Sequence, residues 1–191
     1  MHPAHDFPAT HGLDHEMNYE IHGPFDLPRT NGLIDKAAKS KKAFWASVEE
    51  ASPGVPDACG CYVFVVKAKR GTLPWYVGIT TKRTFRAEAL GAHQLNHYNP
   101  AIAQKVGVTP QLFFLAKKTP QGRFAKPSQN PHRDVEFLEQ FMFGIALNRN
   151  GSLSNTKNTK FLKSMIVPGV LNTPRRKPKA SEKALKSVLG L

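Results

Sequence analysis

Apolar residues in this chain follow two rhythms. In "DVEFLEQFMFGIA", Val135, Leu138, Phe141, Met142 and Ile145 recur at three and four residues, the spacing of a helix with one face in a core. "GCYVFVV" and "WYVGIT" are short β-branched and aromatic runs, read as strands over roughly 60–68 and 74–80 and joined through "KRGTLP" as a hairpin. "PQLFFLAKKT" is a third strand candidate, followed by the polar loop "PQGRFAKPSQNP". Helices are expected over "DKAAKSKKAFWASVEEA", stopped by "SPGVPDACG", and over "TFRAEALGAHQLNHYNPAIAQKVG", with Thr84 as N-cap. A short helix is expected at "NTKFLKS" and an amphipathic one at "ASEKALKSVLGL". This order predicts an α/β (α+β) fold: a small, three-stranded, mainly antiparallel sheet flanked by helices.

Residues 1–33 show no such rhythm until "NYEIHGPFDLP", and they hold His2, His5, His11, His15 and His22 with Pro3, Pro8, Pro24 and Pro28. They read as a loosely ordered acidic extension. The expected organisation is this extension, a globular domain over 34–172, and a basic linker with a closing helix over 173–191.

Charge sharpens the division. The chain of 191 residues carries +13, yet residues 1–35 hold six acids against Arg29 alone, a balance of −5, which leaves +18 on the remainder. A body so cationic attracts polyanions, nucleic acid before anionic membrane. "CYVFVV" and "LFFLA" are far too short to span a bilayer, so no membrane partner is expected. The two cysteines, Cys59 and Cys61, stand one residue apart and form no disulfide framework. With no leader-like segment at the start, a reducing cytoplasmic setting is the simplest reading. Oligomeric state has no signature in the sequence.

Several residues can carry phosphodiester chemistry. Tyr62 and Tyr76 fall on paired strands, beside Gly60 and Gly78, and are either stacked core or a pair of hydroxyls. Arg86 follows Tyr76 by ten residues, in the first turn of the next helix, where a guanidinium can grip phosphate. His93 and His97 are four apart on that same helix, a spacing open to metal ligation or to plain surface histidines. Glu139 falls at the border of the apolar face of its helix, where a carboxylate suits a divalent cation. Lys82, Arg83, His97, Arg123 and Lys126 are the candidate nucleic-acid contacts. Asn148, Asn150 and Asn155 lie in or after the helix end, where asparagine often caps.

Taken together, "GCY", "YVG", Arg86, the glutamate of "EQFMF" and a later asparagine resemble the GIY-YIG nuclease superfamily, over roughly residues 58–156. The resemblance implies a metal-dependent endonuclease acting on nucleic acid, with DNA expected ahead of RNA. By position, Tyr62 or Tyr76 would help activate water and Arg86 would stabilise phosphoryl charge. Glu139 would hold a single divalent metal, Mg²⁺ first and Mn²⁺ second, and Asn155 would match the late asparagine, with Asn148 as runner-up. The chain departs from the family at Cys61, in the long spacer between the tyrosine motifs, and at Leu90, where many members carry a His or Tyr. His93 or His97 could replace that helper. Leu90 keeps open a second reading, a module of the same fold that binds nucleic acid with weak or no cleavage. No Asp…Glu-x-Lys arrangement and no ββα histidine motif offers another nuclease signature.

Overall fold

The computed structural model describes residues 16–130, 132–155 and 160–190. Its strands are β1 (Tyr19–Asp26), β2 (Arg29–Thr30), β3 (Leu33–Ile34), β4 (Gly60–Ala68), β5 (Gly71–Thr80) and β6 (Thr109–Lys117). Its helices are α1 (Ala38–Ala51), α2 (Phe85–Glu88), α3 (Ala92–Ile102), α4 (Arg133–Arg149), α5 (Lys160–Ser164) and α6 (Ala180–Val188), with a 3-10 turn over Val55–Asp57. The fold is mixed α/β, and none of the described helices is long and apolar enough to cross a membrane.

The main sheet is antiparallel, in the order β1-β6-β4-β5, and so has four strands where the sequence pattern predicts three. The extra strand comes from "YEIHGPFD", inside the stretch read as an extension. Its alternation is broken by Gly23-Pro24, and its register against β6 shifts between His22 and Phe25. It joins the sheet chiefly through backbone pairing, which periodicity cannot reveal. Residues 1–15, with His2, His5, His11 and His15, lie outside the described residues.

β4 is central, so both its faces are covered and residues 60–66 are buried throughout. Tyr62, Phe64 and Val66 meet Phe44, Trp45 and Val48 of α1, Phe85 of α2, and Leu95, Tyr98 and Ile102 of α3. Cys61, Val63 and Val65 meet Phe143, Ala146 and Leu147 of α4, together with Leu153. Each such large side chain contributes roughly 1.5–3 kcal/mol on full burial. Phe141 and Ile145, expected in that second core, instead stay 59% and 53% exposed beside exposed Phe137. α4 is apolar on both sides, so its 3.6-residue period fits either one, and the side with Val135, Phe143 and Leu147 meets the sheet.

The β2–β3 hairpin turns through Asn31 and Gly32, at φ 52° and 79°, the two left-handed positions of a tight two-residue turn. The Arg29 guanidinium ties it down, donating to the carbonyls of Gly32 and Val108, each at 2.8 Å, and to Lys105 O at 3.1 Å. Asn99 Oδ1 of α3 accepts from Ile34 N at 3.0 Å.

Candidate active site

Tyr62 stands opposite Gly78 and Tyr76 opposite Phe64, so the two phenols sit diagonally on one face of the β4–β5 ladder. Their ring centroids are 6.3 Å apart. Gly78 is explained by Tyr62 itself: a Cβ there would lie 2.4 Å from that ring, so the space beside the glycine is filled by the protein's own side chain. Burial, then Tyr76 and Glu88, drive the Tyr62 pKa well above the tyrosine range, against a side-chain interaction with Gln94 that lowers it. Tyr76 is pushed up to about 12, by burial first and the Glu139 carboxylate second, and Tyr62 pulls the other way. Tyr76 is therefore the more readily ionised of the pair.

His97 of α3 stacks on Tyr76 with centroids 4.8 Å apart, and His93 meets His97 edge-on at the same distance. Burial and then the neighbouring His93 hold the His97 pKa below the ordinary histidine range, so a neutral imidazole lies on the phenol. Leu90 is a core residue, 5% exposed, packed in the cluster under the sheet. The imidazole set on the tyrosine pair comes from two turns further along the chain.

Two polar residues outside the sequence motif stand behind Tyr62. Buried Gln94 donates through Nε2 to Glu88 Oε1 at 2.7 Å, and Glu88 Oε2 lies 3.7 Å from Arg83 Nη1. A signal existed for Glu88, since no other acid occurs between Asp57 and Asp134.

Arg86 turns elsewhere. Its Nε donates to Asp57 Oδ1 at 3.1 Å, Nη2 lies 4.0 Å from Glu49 Oε2, and the guanidinium rests 6.0 Å from the Trp45 ring. Arg86 and Glu88 are two residues apart in a one-turn helix, about 200° around its axis, so turning one towards Tyr62 turns the other away. Arg86→Ala is expected to cost no more than about 1 kcal/mol of stability, as for exposed ion pairs. On the expectation that the chain binds nucleic acid, Arg86→Ala should weaken that binding less than Arg83→Ala does. Thermal melts and filter-binding titrations of both variants check this.

Glu139 lies on α4, across the sheet from the tyrosines, yet its charge raises the pKa of both Tyr76 and Cys61. α4 packs against β5, the strand that carries Tyr76. Asn155 is buried, accepting from Val77 N at 3.0 Å and donating to Val77 O at 2.5 Å. Asn150 Nδ2 donates to Pro74 O at 2.7 Å, and Ser154 N to Trp75 O at 3.0 Å. Together these residues fasten the outer edge of the strand that carries Tyr76. Asn148 is exposed and lines a cavity towards α6, away from this edge.

Lys82 and Arg83 are exposed in the turn after β5, and Arg123 and Lys126 in the loop after β6. That loop crosses the end of the sheet, with Ala125 N bonded to Lys117 O and Ser128 N to Thr81 O. It brings Lys126 to the same end of the sheet as Lys82 and Arg83, as a cationic rim.

Among the described residues no three His, Cys, Asp or Glu side chains converge as a ready-made metal cage. A lone carboxylate such as Glu139 still suits Mg²⁺, which keeps several waters and takes one or two carboxylates together with substrate phosphates. Bound there, the ion would offset charge on the phosphoryl oxygens. No family model matches this chain, and no curated protein or solved structure matches it either.

Proposed function

We propose that this protein is a metal-dependent endonuclease of the GIY-YIG type, hydrolysing phosphodiester bonds of nucleic acid, with DNA preferred over RNA. One observation carries the reading: Tyr76 is held between Tyr62 and the neutral His97 imidazole, under the charge of Glu139. β4, β5, α3 and α4 each supply one of these groups. A phenol stacked on a neutral imidazole can pass a proton from an attacking water. Arg83 and Lys82 flank the same end of the sheet, where phosphate would be gripped. The two free thiols suit a reducing, cytoplasmic setting.

A second reading, binding with weak or no cleavage, draws on Arg86. Its guanidinium is committed to Asp57 and Glu49, and a cation must be withdrawn from those carboxylates before it can serve phosphate.

Labelled single- and double-stranded DNA and RNA, incubated with Mg²⁺ or Mn²⁺ beside a Glu139→Ala control, separate the two. The hydrolase reading expects metal-dependent cutting that Glu139→Ala removes while binding persists. Binding without any metal-dependent cut, or cutting that survives Glu139→Ala, overturns it.

A further inference from the structure

A cavity of about 440 Å³ lies between the β2–β3 hairpin and α3, away from the tyrosine pair. That volume falls within the range of about 300–1,000 Å³ of small-molecule sites. We propose that it holds the base and sugar of a single nucleotide, a second binding site beside the reacting bond. The proposal rests on the reading above that the ligand is nucleic acid.

Its walls are apolar on two sides, Leu33 and Ile34 from the hairpin and Leu95 from the helix. Leu33 is 41% exposed, so apolar surface is left uncovered at the mouth. Asn31 and Asn96 also line the cavity, and their side-chain amides make no hydrogen bond among the described residues. Two facing apolar walls with unspent amides at the rim suit a flat heterocycle. Its faces need apolar cover, while its edges present donors and acceptors of the kind asparagine reads.

The hairpin wall is rigid, because Arg29 and Asn99 bind its backbone to α3 and the loop beyond. A preformed site loses less ordering entropy on binding. The mouth carries one charge of each sign, Lys36 and Asp35. Lys36 lines the cavity and takes no part in the described ion pairs. Asp35 is already engaged, accepting from Thr30 Oγ1, Ser40 Oγ and Ala37 N. The lysine is therefore the group left to meet a phosphate.

Position supplies the link to the chemistry. Asn96 at the cavity and His97 on Tyr76 are consecutive residues of α3, on neighbouring faces of that helix. A nucleotide lodged here would lie a short way along a strand whose phosphodiester reaches Tyr76. This favours an unpaired base, since a paired one has its edge occupied.

The test follows backbone amide NMR shifts of the full chain without metal, titrated with the deoxynucleoside 5′-monophosphates and, separately, a short single-stranded DNA. Saturable shifts at Leu33, Ile34, Asn96 and Asn99 are expected in both arms. The oligonucleotide should also move His97 and bind at least about tenfold more tightly, if the source in use is a strand rather than a free nucleotide. Leu33→Trp, which fills the cavity from an exposed position, should abolish the mononucleotide shifts, and Asn96→Ala should weaken them several-fold. No shifts at millimolar nucleotide, shifts confined to Tyr76 and His97, or shifts that persist in Leu33→Trp overturn the proposal. The same protein tested for cutting keeps the two readings apart. Cavity shifts without cleavage uphold this site and remove the hydrolase, whereas cleavage without cavity shifts removes this site alone.

Discussion

Replacing Tyr76 by phenylalanine is expected to lower metal-dependent cutting by about two to four orders of magnitude, the usual worth of a positioned general acid or base. Binding and melting temperature should barely change. The ring remains to stack on His97 and to pack against Tyr98, and only the hydroxyl is lost. Tyr62→Phe should cost less, because the deeper phenol is the harder to ionise and acts through its neighbour. The pH profile distinguishes a proton-handling phenol from a packing one. With Tyr76 at about 12, its ionised fraction grows about tenfold per pH unit throughout the workable range. The rate of the native protein should therefore climb with pH, and the Tyr76→Phe profile should lie flat. Equal rates in the two proteins, or parallel profiles, would remove Tyr76 from the chemistry.

Gly60→Ala should be the most damaging small change to the fold. A Cβ at this position would stand 2.1 Å from the backbone oxygen of Leu115, where no rotamer change can relieve it, and φ is +153°. Overpacking and backbone strain together put the cost at about 2–6 kcal/mol. Against a typical total of about 5–15 kcal/mol that is enough to unfold much of the protein at growth temperature. Gly71→Ala is the matched control: it shares a positive φ, +124°, but nothing lies within 4 Å. Denaturant midpoints should therefore fall far more for Gly60 than for Gly71, and equal losses would mean that conformation alone, not the contact with β6, explains the glycine.

The contrast between these glycines bears on what a sequence can disclose. β4, β5, β6 and α4 announce themselves because dense apolar runs at a period of two or 3.6 have few other solutions. β1 does not, because Gly23-Pro24 interrupts its pattern and β6 recognises it through main-chain groups. The same limit governs the candidate site. That Tyr62 and Tyr76 share a face follows from pairing two obvious strands. The direction of Arg86 does not follow from its distance to Tyr76. α2 is a single turn whose orientation is set by Phe85 entering the core, and that decision hands the tyrosine side to Glu88. The sequence offers His97 as a candidate nucleic-acid contact and as a stand-in for the helper missing at Leu90. Its stacking on Tyr76 required knowing how α3 crosses the sheet. Gln94 had no signal at all, since a glutamine in a helix is ordinary until burial shows what it holds.

The segment from Asn150 to Asn155 has a consequence beyond placing Tyr76. β5 is an outer strand, and an outer strand with open amide and carbonyl groups is a template on which other chains can add. Here Asn150, Ser154 and Asn155 occupy those groups at Pro74, Trp75 and Val77. The clasp thus withholds an apolar, aggregation-prone ribbon from its surroundings. Loosening it would show itself first as a protein that precipitates on storage, before any change in what it cuts.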